Sequence, residues 1–508
     1  MFSTWKVSAL GSVVAAAALI AVACAPAAAP PTAAPAAPAA PAAPAASPTP
    51  APTQAGVAGQ AGQAPAALTA QALLPTQPAA TAAAATATPA PAATTAPAAS
   101  GEKITLKFLG AADPASQKAF GEELALYQKT HPNIDVNWEN VAWEQLFPKI
   151  QAIAAAKSDY DIIWADGPNV WSFAYNGVIQ PMDDTFPRDY VTQNWLPSSL
   201  VTSYYKGHFY APPERESCSL LWYNKDMTDA AGIQPPMEFS KSWTMEQALV
   251  AWQKVNNPPA VYGLRWGQGT GPGQDYENGE FRRLAGHSRD SKAFLGINPQ
   301  DGLTISGYFD DPEAIKGHQF LQDIHQKYKI SPIENVPDIW ISKKAAFYLS
   351  PDNALAQYNT AKPGFAYGVT GIPYFQGGTQ MCHNDSLHYA LGAYSKHPKE
   401  AAELIKFMSG PVGGKIYYDN AGQLPANVQL LNSLPEYTKY PQSLVLEQFK
   451  AVATPRIVTV GFTEYNTLAT EFFQNLIETP NANVAQLAHD MAKRTDQLTA
   501  KYKDWQTK

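Results

Sequence analysis

From residue 104 onward the apolar positions switch between two periods. Ile104, Leu106 and Phe108 alternate with Thr105 and Lys107, the pattern of a half-buried strand. Asp113 and Pro114 supply an N-cap and a first-turn proline, and Phe120, Leu124 and Tyr127 then recur at helical spacing until His131-Pro132 ends the run. Ile134, Val136 and Trp138 alternate again, and Leu146, Ile150 and Ile153 return to the helical period. Residues 161–165 are almost wholly apolar and lead into Asp166, Gly167 and Pro168, a further helix start that closes at Asn176-Gly177. The order is β-α-β-α-β-α. Short links and repeated crossover helices require a parallel sheet covered on both faces, and such sheets bind ligands beyond the carboxyl ends of their strands. Residues 110–113 and 166–171 therefore lie on the functional edge.

A second start follows residues 210–213. Residues 219–223 form a strand pattern, and Thr244 with Gln247 makes a capping box ahead of Ala248, Leu249 and Trp252. Strand patterns return at 366–373 and 387–393, with an amphipathic helix at 398–408 and closing helices at 464–477 and 484–502. No internal repeat is evident. The stretch before all this differs in kind: residues 25–100 hold 36 Ala and 16 Pro among 76 positions, with no charged or aromatic residue. Nothing there can offset the entropy of ordering, so it predicts a tether. Its reach lies between about 50 Å as a flexible coil and about 230 Å as continuous polyproline II. The remaining residues carry a formal net charge of −8, because Lys6 alone among the charged residues precedes them. That balance supplies no basic face for a phosphate backbone and excludes nucleic acid as partner.

Lys6 precedes an apolar run, 7–23, that ends in small residues before Cys24, a secretion-signal pattern. Leu19, Ile20, Ala21, Val22 and Ala23 before Cys24 resemble a bacterial lipobox, with Ala21 where Leu is usual. The resemblance implies a signal peptide at 1–23, a diacylated Cys24, a tether at 24–102 and a lipid-anchored protein on the outer face of the cytoplasmic membrane. Outside the cell Cys218 and Cys382 either pair or stay as two buried thiols.

The ordered residues taken together resemble the family 1 extracellular solute-binding proteins of bacterial ABC importers, the group of maltose-binding protein. The strings that carry it are ITLKF (104–108), HPNIDV (131–136), DIIWAD (161–166), NGVIQP (176–181), LWYNKD (221–226), KAAF (344–347), YGVTGIP (367–373), SKHPKEA (395–401) and GQLP (422–425). The resemblance implies an α/β, two-lobed periplasmic-binding-protein-like fold of type II, each lobe a mostly parallel sheet flanked by helices. It puts 103–210 with 346–396 in the first lobe and 213–345 with 397–508 in the second, crossing near Ala211, Phe347 and His397. It also implies a monomeric, non-catalytic receptor that captures a sugar or related polyol and delivers it to permease subunits, without cofactor or metal.

Transferred residue by residue, it makes substrate-binding candidates of Asp113, Trp143, Asp166, Trp171, Glu216, Trp266, Trp340, Asp352, Asn353 and Tyr465. A carboxylate at a strand's carboxyl end accepts hydrogen bonds from vicinal hydroxyls, although Asp166 suits capping of the next helix equally well. Glu216 is either a ligand contact or part of a charged hinge with Glu214 and Arg215. The aromatic candidates offer apolar faces to the C–H faces of pyranose rings, or else pack in the core. Cys382, His383 and His388 lack zinc-ligand spacing, and the glycines of 267–273 lack the dinucleotide pattern. A surface-anchored glycoside hydrolase, which needs two carboxylates flanking the scissile bond, is the rival reading, and the same fold binding a peptide is another. Growth with labelled palmitate should label the wild-type chain, and Cys24→Ser should abolish the label; an unlabelled wild type in a lipoprotein-processing host overturns the anchor.

Overall fold

The computed structural model describes residues 102–507 except 112–113, 267–274, 335, 352 and 385–386, all within one compact unit. The signal and tether segments, Cys24, Asp113, Asp352 and the glycine-rich loop lie outside the described residues, as does the side chain of Asn353.

Along the chain the strands are β1 (Ile104–Ala111), β2 (Ile134–Val141), β3 (Ile162–Asp166), β4 (Ile179–Gln180), β5 (Tyr204–Tyr205), β6 (His208–Phe209), β7 (Pro213–Arg215), β8 (Leu220–Asn224), β9 (Tyr262–Arg265), β10 (Ala345–Ser350), β11 (Tyr367–Thr370), β12 (Cys382–His383), β13 (Leu387–Gly392) and β14 (Ala453–Thr454). They build two principal sheets. The first has the order β2-β1-β3-β13-β4, with β7 beside β13; the second has the order β11-β8-β10-β9. The parallel β1, β2 and β3 are joined by helices Pro114–Thr130 and Trp143–Ala156, as the alternating periods predict. Each sheet is mostly parallel and carries one strand that runs against the rest, β13 in the first and β8 in the second.

Burial follows the strand period. On β8, Leu221 and Tyr223 join one core while Leu220 and Trp222 join another on the opposite face. The first sheet has its own core around Phe108, Phe120, Trp164 and Tyr389. Two sheets with separate cores make two lobes.

The lobe boundaries differ from those implied by the resemblance. β10 and β11 pair with β8, so 345–370 belongs to the second lobe, and only β13 returns to the first. Helices Pro398–Met408 and Pro411–Ala421 bury Ala401, Leu404, Ile405, Met408 and Tyr417 against the first core, so the chain does not leave that lobe at His397. The crossings fall at 216–219, between β12 and β13, and at about 422–427. β7, which begins at Pro213, still pairs with β13 and delays the first crossing past Ala211.

The crossings are tied to one another. Cys218, on the first, forms a disulfide with Cys382 at the mouth of the second, closing a sequence separation of 164 residues. The Glu216 backbone N–H donates to the carbonyl of Leu424 on the third at 2.8 Å, and Arg215 bridges Pro425 beside it. Beyond the second crossing β12 pairs with β14, Cys382 opposite Ala453. A cross-link between distant positions removes freedom from the unfolded chain. Replacing both cysteines by serine should therefore lower unfolding stability by about 2–4 kcal/mol in a denaturant titration; an unchanged midpoint and slope overturns that role for the bond.

Candidate ligand cleft

The carboxyl end of β3 carries Asp166, and antiparallel β13 and β7 bring Leu387 and Arg215 to the same edge: Leu387 pairs with both Asp166 and Arg215. In the second sheet Ser350 lies opposite Leu220 and Thr370 opposite Leu221, while Arg265, followed by Trp266, ends β9 beside Tyr348. Residues 216–219 separate Arg215 from Leu220, so the two carboxyl-end edges confront each other across the crossings. This is the cleft the topology requires.

One ion pair spans it. Asp166 Oδ1 accepts from Arg456 Nη2 at 2.6 Å, with 6% and 3% of the side chains exposed. Arg456 follows β14 in the second lobe, whereas Asp166 ends a strand of the first. Burial pushes the Asp166 carboxyl up from its ordinary value, and Arg456, with Arg215 and the Gly167 N–H, offsets part of that rise. The helix Asn169–Tyr175 has no side-chain cap, so capping it is not what occupies Asp166. The Arg456 guanidinium also lies over the Tyr276 and Phe462 rings.

Around this pair the edge is densely bonded. Glu214 accepts from Trp164 Nε1 at 2.8 Å and from the Tyr389 hydroxyl. The Tyr276 hydroxyl donates to the His383 carbonyl at 3.0 Å and is hydrogen-bonded to the Ser217 hydroxyl at 2.8 Å, which fastens helix Asp275–Ala285 to the first and second crossings. His383 donates its backbone N–H to Glu280 at 2.8 Å. Burial and the nearby Arg283, Arg456 and Arg282 hold its imidazole well below the ordinary value, so the ring is neutral. Cys382 is spent in the disulfide.

The lobes also meet at the rim. Helix Asn169–Tyr175 of the first lobe touches helix Phe462–Glu478 of the second, with Ser172 Oγ and Thr463 Oγ1 3.3 Å apart. The last residues of the chain grip the same helix: Trp505 packs on Trp171 with centroids 5.7 Å apart, and Tyr502 meets Tyr175 edge-on at 5.4 Å. Both aromatics are anchored behind, Trp505 Nε1 donating to the Asp301 carbonyl and the Tyr502 hydroxyl to Glu464.

The structure brings some of the proposed contact residues together and separates others. Asp166 and Glu216 stand at the cleft floor, with Glu216 wholly buried on the first crossing. Trp143 begins its helix half-buried, edge-on to Trp164 at 6.3 Å, and Trp171 belongs to the rim. Trp266 packs against Phe281 with the ring planes tilted by 42° and centroids 3.7 Å apart, at the second edge. Tyr465 is buried with its hydroxyl donating to Asp275 at 2.6 Å. Trp340 is elsewhere: it packs among Tyr348, Tyr358 and Phe365, ahead of β10 and away from the Ser350 end. Asn353 opens helix Asn353–Ala361. Sequence reasoning missed Arg456 and Tyr276, which reach the cleft from segments without a motif; Asn169 falls within the 166–171 edge but was not singled out.

A family model for "Bacterial extracellular solute-binding protein" matches residues 110–415. A probable ABC transporter-binding protein of Deinococcus radiodurans is 23% identical over 331 residues, covering 63% of this chain and 75% of its own. Among solved structures, the ABC substrate-binding protein Lmo0181 of Listeria monocytogenes in complex with cycloalternan aligns with a TM-score of 0.67 at 18% identity, covering 78% of this chain and all of that one. Maltose-bound MalE3 of T. maritima aligns with a TM-score of 0.66 at 18% identity, covering 78% and 99%. These likenesses show the two-lobed fold.

Behind the cleft floor Glu123 is fully buried next to Glu214, and neither of its oxygens has a hydrogen-bond partner among the described residues. Burial first, and the Glu214 charge second, raise its carboxyl well above the ordinary value. An acid raised in the folded state contributes stability that is full below its unfolded value and is lost as pH rises through the folded one. Stability should thus fall as pH climbs above the ordinary glutamate range. Glu123→Gln should flatten that slope, leaving the parts due to Glu280 and Asp166, which burial also raises; an unaltered slope in urea titrations from pH 4 to pH 9, about the span over which a raised carboxyl titrates, overturns the assignment.

Proposed function

Since this chain belongs to the bacterial extracellular solute-binding protein family, we propose that it is the substrate-binding component of an ABC importer. In this reading it takes a neutral oligosaccharide or related polyol between its lobes and hands it to the membrane permease. Cys24 carries the lipid, and the tether lets the lobes range over the outer face of the membrane.

One observation carries the choice of ligand. Buried neutral groups at the two edges have no hydrogen-bond partner among the described residues: Asn169 Nδ2 and Trp171 Nε1 on the first lobe, Trp266 Nε1 and Asn466 Oδ1 on the second. The charges between them, Asp166 and Arg456, satisfy each other. Donors and acceptors without net charge suit hydroxyls better than a carboxylate or an ammonium. Half-buried Trp143 and Trp171 add aromatic faces for the ring carbons.

The mechanism follows from the connections. Three crossings are the covalent joints between lobes, so rigid-body rotation about them is the softest motion available. A ligand bonded to both edges binds the closed form more tightly and shifts the population toward it; one held by a single lobe shifts nothing. Capture and release need no acid, base or nucleophile, so no turnover is expected. Calorimetry of the chain with maltose, maltotriose, mannotriose and trialanine should give saturable heat with a sugar and none with the peptide, and no hydrolysis products should appear. Scattering from residues 102–508 should show a smaller radius of gyration at saturation. Binding of trialanine alone overturns the sugar, and an unchanged radius overturns the closure.

A further inference from the structure

Helix Val484–Thr499 belongs to the second lobe, with Val484, Ala488, Met491 and Ala492 in its core. Past Thr499 the chain changes sides. Tyr502, 7% exposed, joins the core of the first lobe, and Trp505 packs against that same core. Leu303 and Val460, from the loops ahead of helices Pro312–Gln326 and Phe462–Glu478, join it as well. The wall they meet is aromatic: Trp505 lies on Trp171, Trp171 meets Tyr205 edge-on at 5.6 Å, and Tyr502 meets Tyr175.

The polar bonds of these rings stay in the second lobe. Glu464 Oε1 accepts from the Tyr502 hydroxyl at 2.8 Å and pairs with Lys501 Nζ at 2.6 Å. Trp505 Nε1 donates to the Asp301 carbonyl at 2.7 Å, and Gln506 Nε2 to the Gln300 carbonyl at 3.0 Å. The Asp301 carboxylate holds that turn in shape by accepting from the backbone N–H groups of Leu303 and Thr304 at 2.8 and 2.9 Å. Gly302 sits at φ +64° under the indole, where a Cβ would stand 3.0 Å from Trp505 Cζ2. The rings are thus held from behind by one lobe and offer only their faces to the other. Helix Asn169–Tyr175 starts just past the carboxyl end of β3, so these contacts lie on the cleft side, with Ser172 and Thr463. They exist while the two edges face each other and part when the edges swing away.

Resting on the closure proposed above, we propose that residues 500–507 are a built-in strap that favours the closed arrangement before any ligand arrives. Aromatic pairs of this kind contribute beyond the area they bury, and two of them bias the balance between open and closed forms. Apparent affinity scales with the fraction of the chain in the binding-competent form, so the strap raises affinity and slows release. Its length and sequence set how tightly the chain holds whatever solute it takes.

The test uses the full chain with Cys24→Ser, which leaves Cys218 and Cys382 as its only native cysteines, and spin labels on Lys118→Cys of the first lobe and Lys493→Cys of the second. Without ligand, Trp505→Ala and Tyr502→Ala should each shift the distance between the labels toward longer values. With maltotriose, or whichever sugar of the panel above binds wild type, each should weaken affinity about three- to tenfold, mostly through faster release. Trp505 touches Trp171, a candidate ligand contact, whereas Tyr502 acts through Tyr175, which is not one; a loss confined to Trp505→Ala with no change of distance therefore overturns the strap. Unchanged or shorter ligand-free distances in both variants overturn it too. Trp505→Phe keeps a ring at the joint and should lengthen the distance less than Trp505→Ala; if an alanine variant fails to fold, an unchanged distance in Trp505→Phe overturns the strap. If no sugar binds wild type, the sugar reading fails, and the ligand-free distances still decide the strap.

Discussion

Asp166 and Arg456 belong to different lobes, yet their side chains meet at 2.6 Å with almost no exposure. Neither charge can lie there alone, because the desolvation of an unpaired buried ion amounts to several kcal/mol. The pair thus fixes how the two sheet edges sit: β3 must deliver Asp166 at its carboxyl end, and the turn after β14 must deliver Arg456 opposite. Everything else at the floor is arranged around that demand. Arg456 is flanked by the Tyr276 and Phe462 rings, and Tyr276 is bonded to two crossings at once.

Pairing of this kind also shapes what the cleft offers a ligand. Asp166 read alone is a hydroxyl acceptor; bonded to Arg456 it has one oxygen committed and its charge balanced. On the function proposed above, selectivity passes to the uncharged groups around it, with the charged residues of this floor setting lobe position.

The sequence periods made the first sheet legible because each strand and helix there is local and strongly alternating, from Ile104 through Asn176. The second lobe was harder. β10 and β11 read as strands, but nothing in Ala345–Ser350 or Tyr367–Thr370 states which sheet will take them, since both are apolar on two faces and would be buried in either. Helix Pro398–Met408 showed its amphipathic face without showing which core that face would meet. The same limit applies to the site. Asp166 was visible as a carboxylate after an apolar strand, whereas Arg456, 290 residues later, has a role only through the fold. Trp340 misled for the converse reason: a tryptophan near a loop resembles a stacking residue until Tyr348, Tyr358 and Phe365 surround it.

The hinge and the rim impose opposite requirements, and the structure separates them in space. At the crossings the disulfide, the Glu216 to Leu424 bond and the β12–β14 pair tie the segments together, which confines motion to rotation about a narrow axis instead of a loose separation. At the rim the contacts are a hydroxyl pair and two aromatic pairs, each worth on the order of 1 kcal/mol and none with a buried charge. On the closure proposed above, covalent and backbone bonds suit a joint that survives each cycle, and weak side-chain contacts suit one that parts. The C-terminal aromatics fit the second class, because Trp505 and Tyr502 keep their anchors to Asp301 and Glu464 within their own lobe when their faces leave Trp171 and Tyr175. On the proposed closure they would release the first lobe, at each opening, without losing their own position.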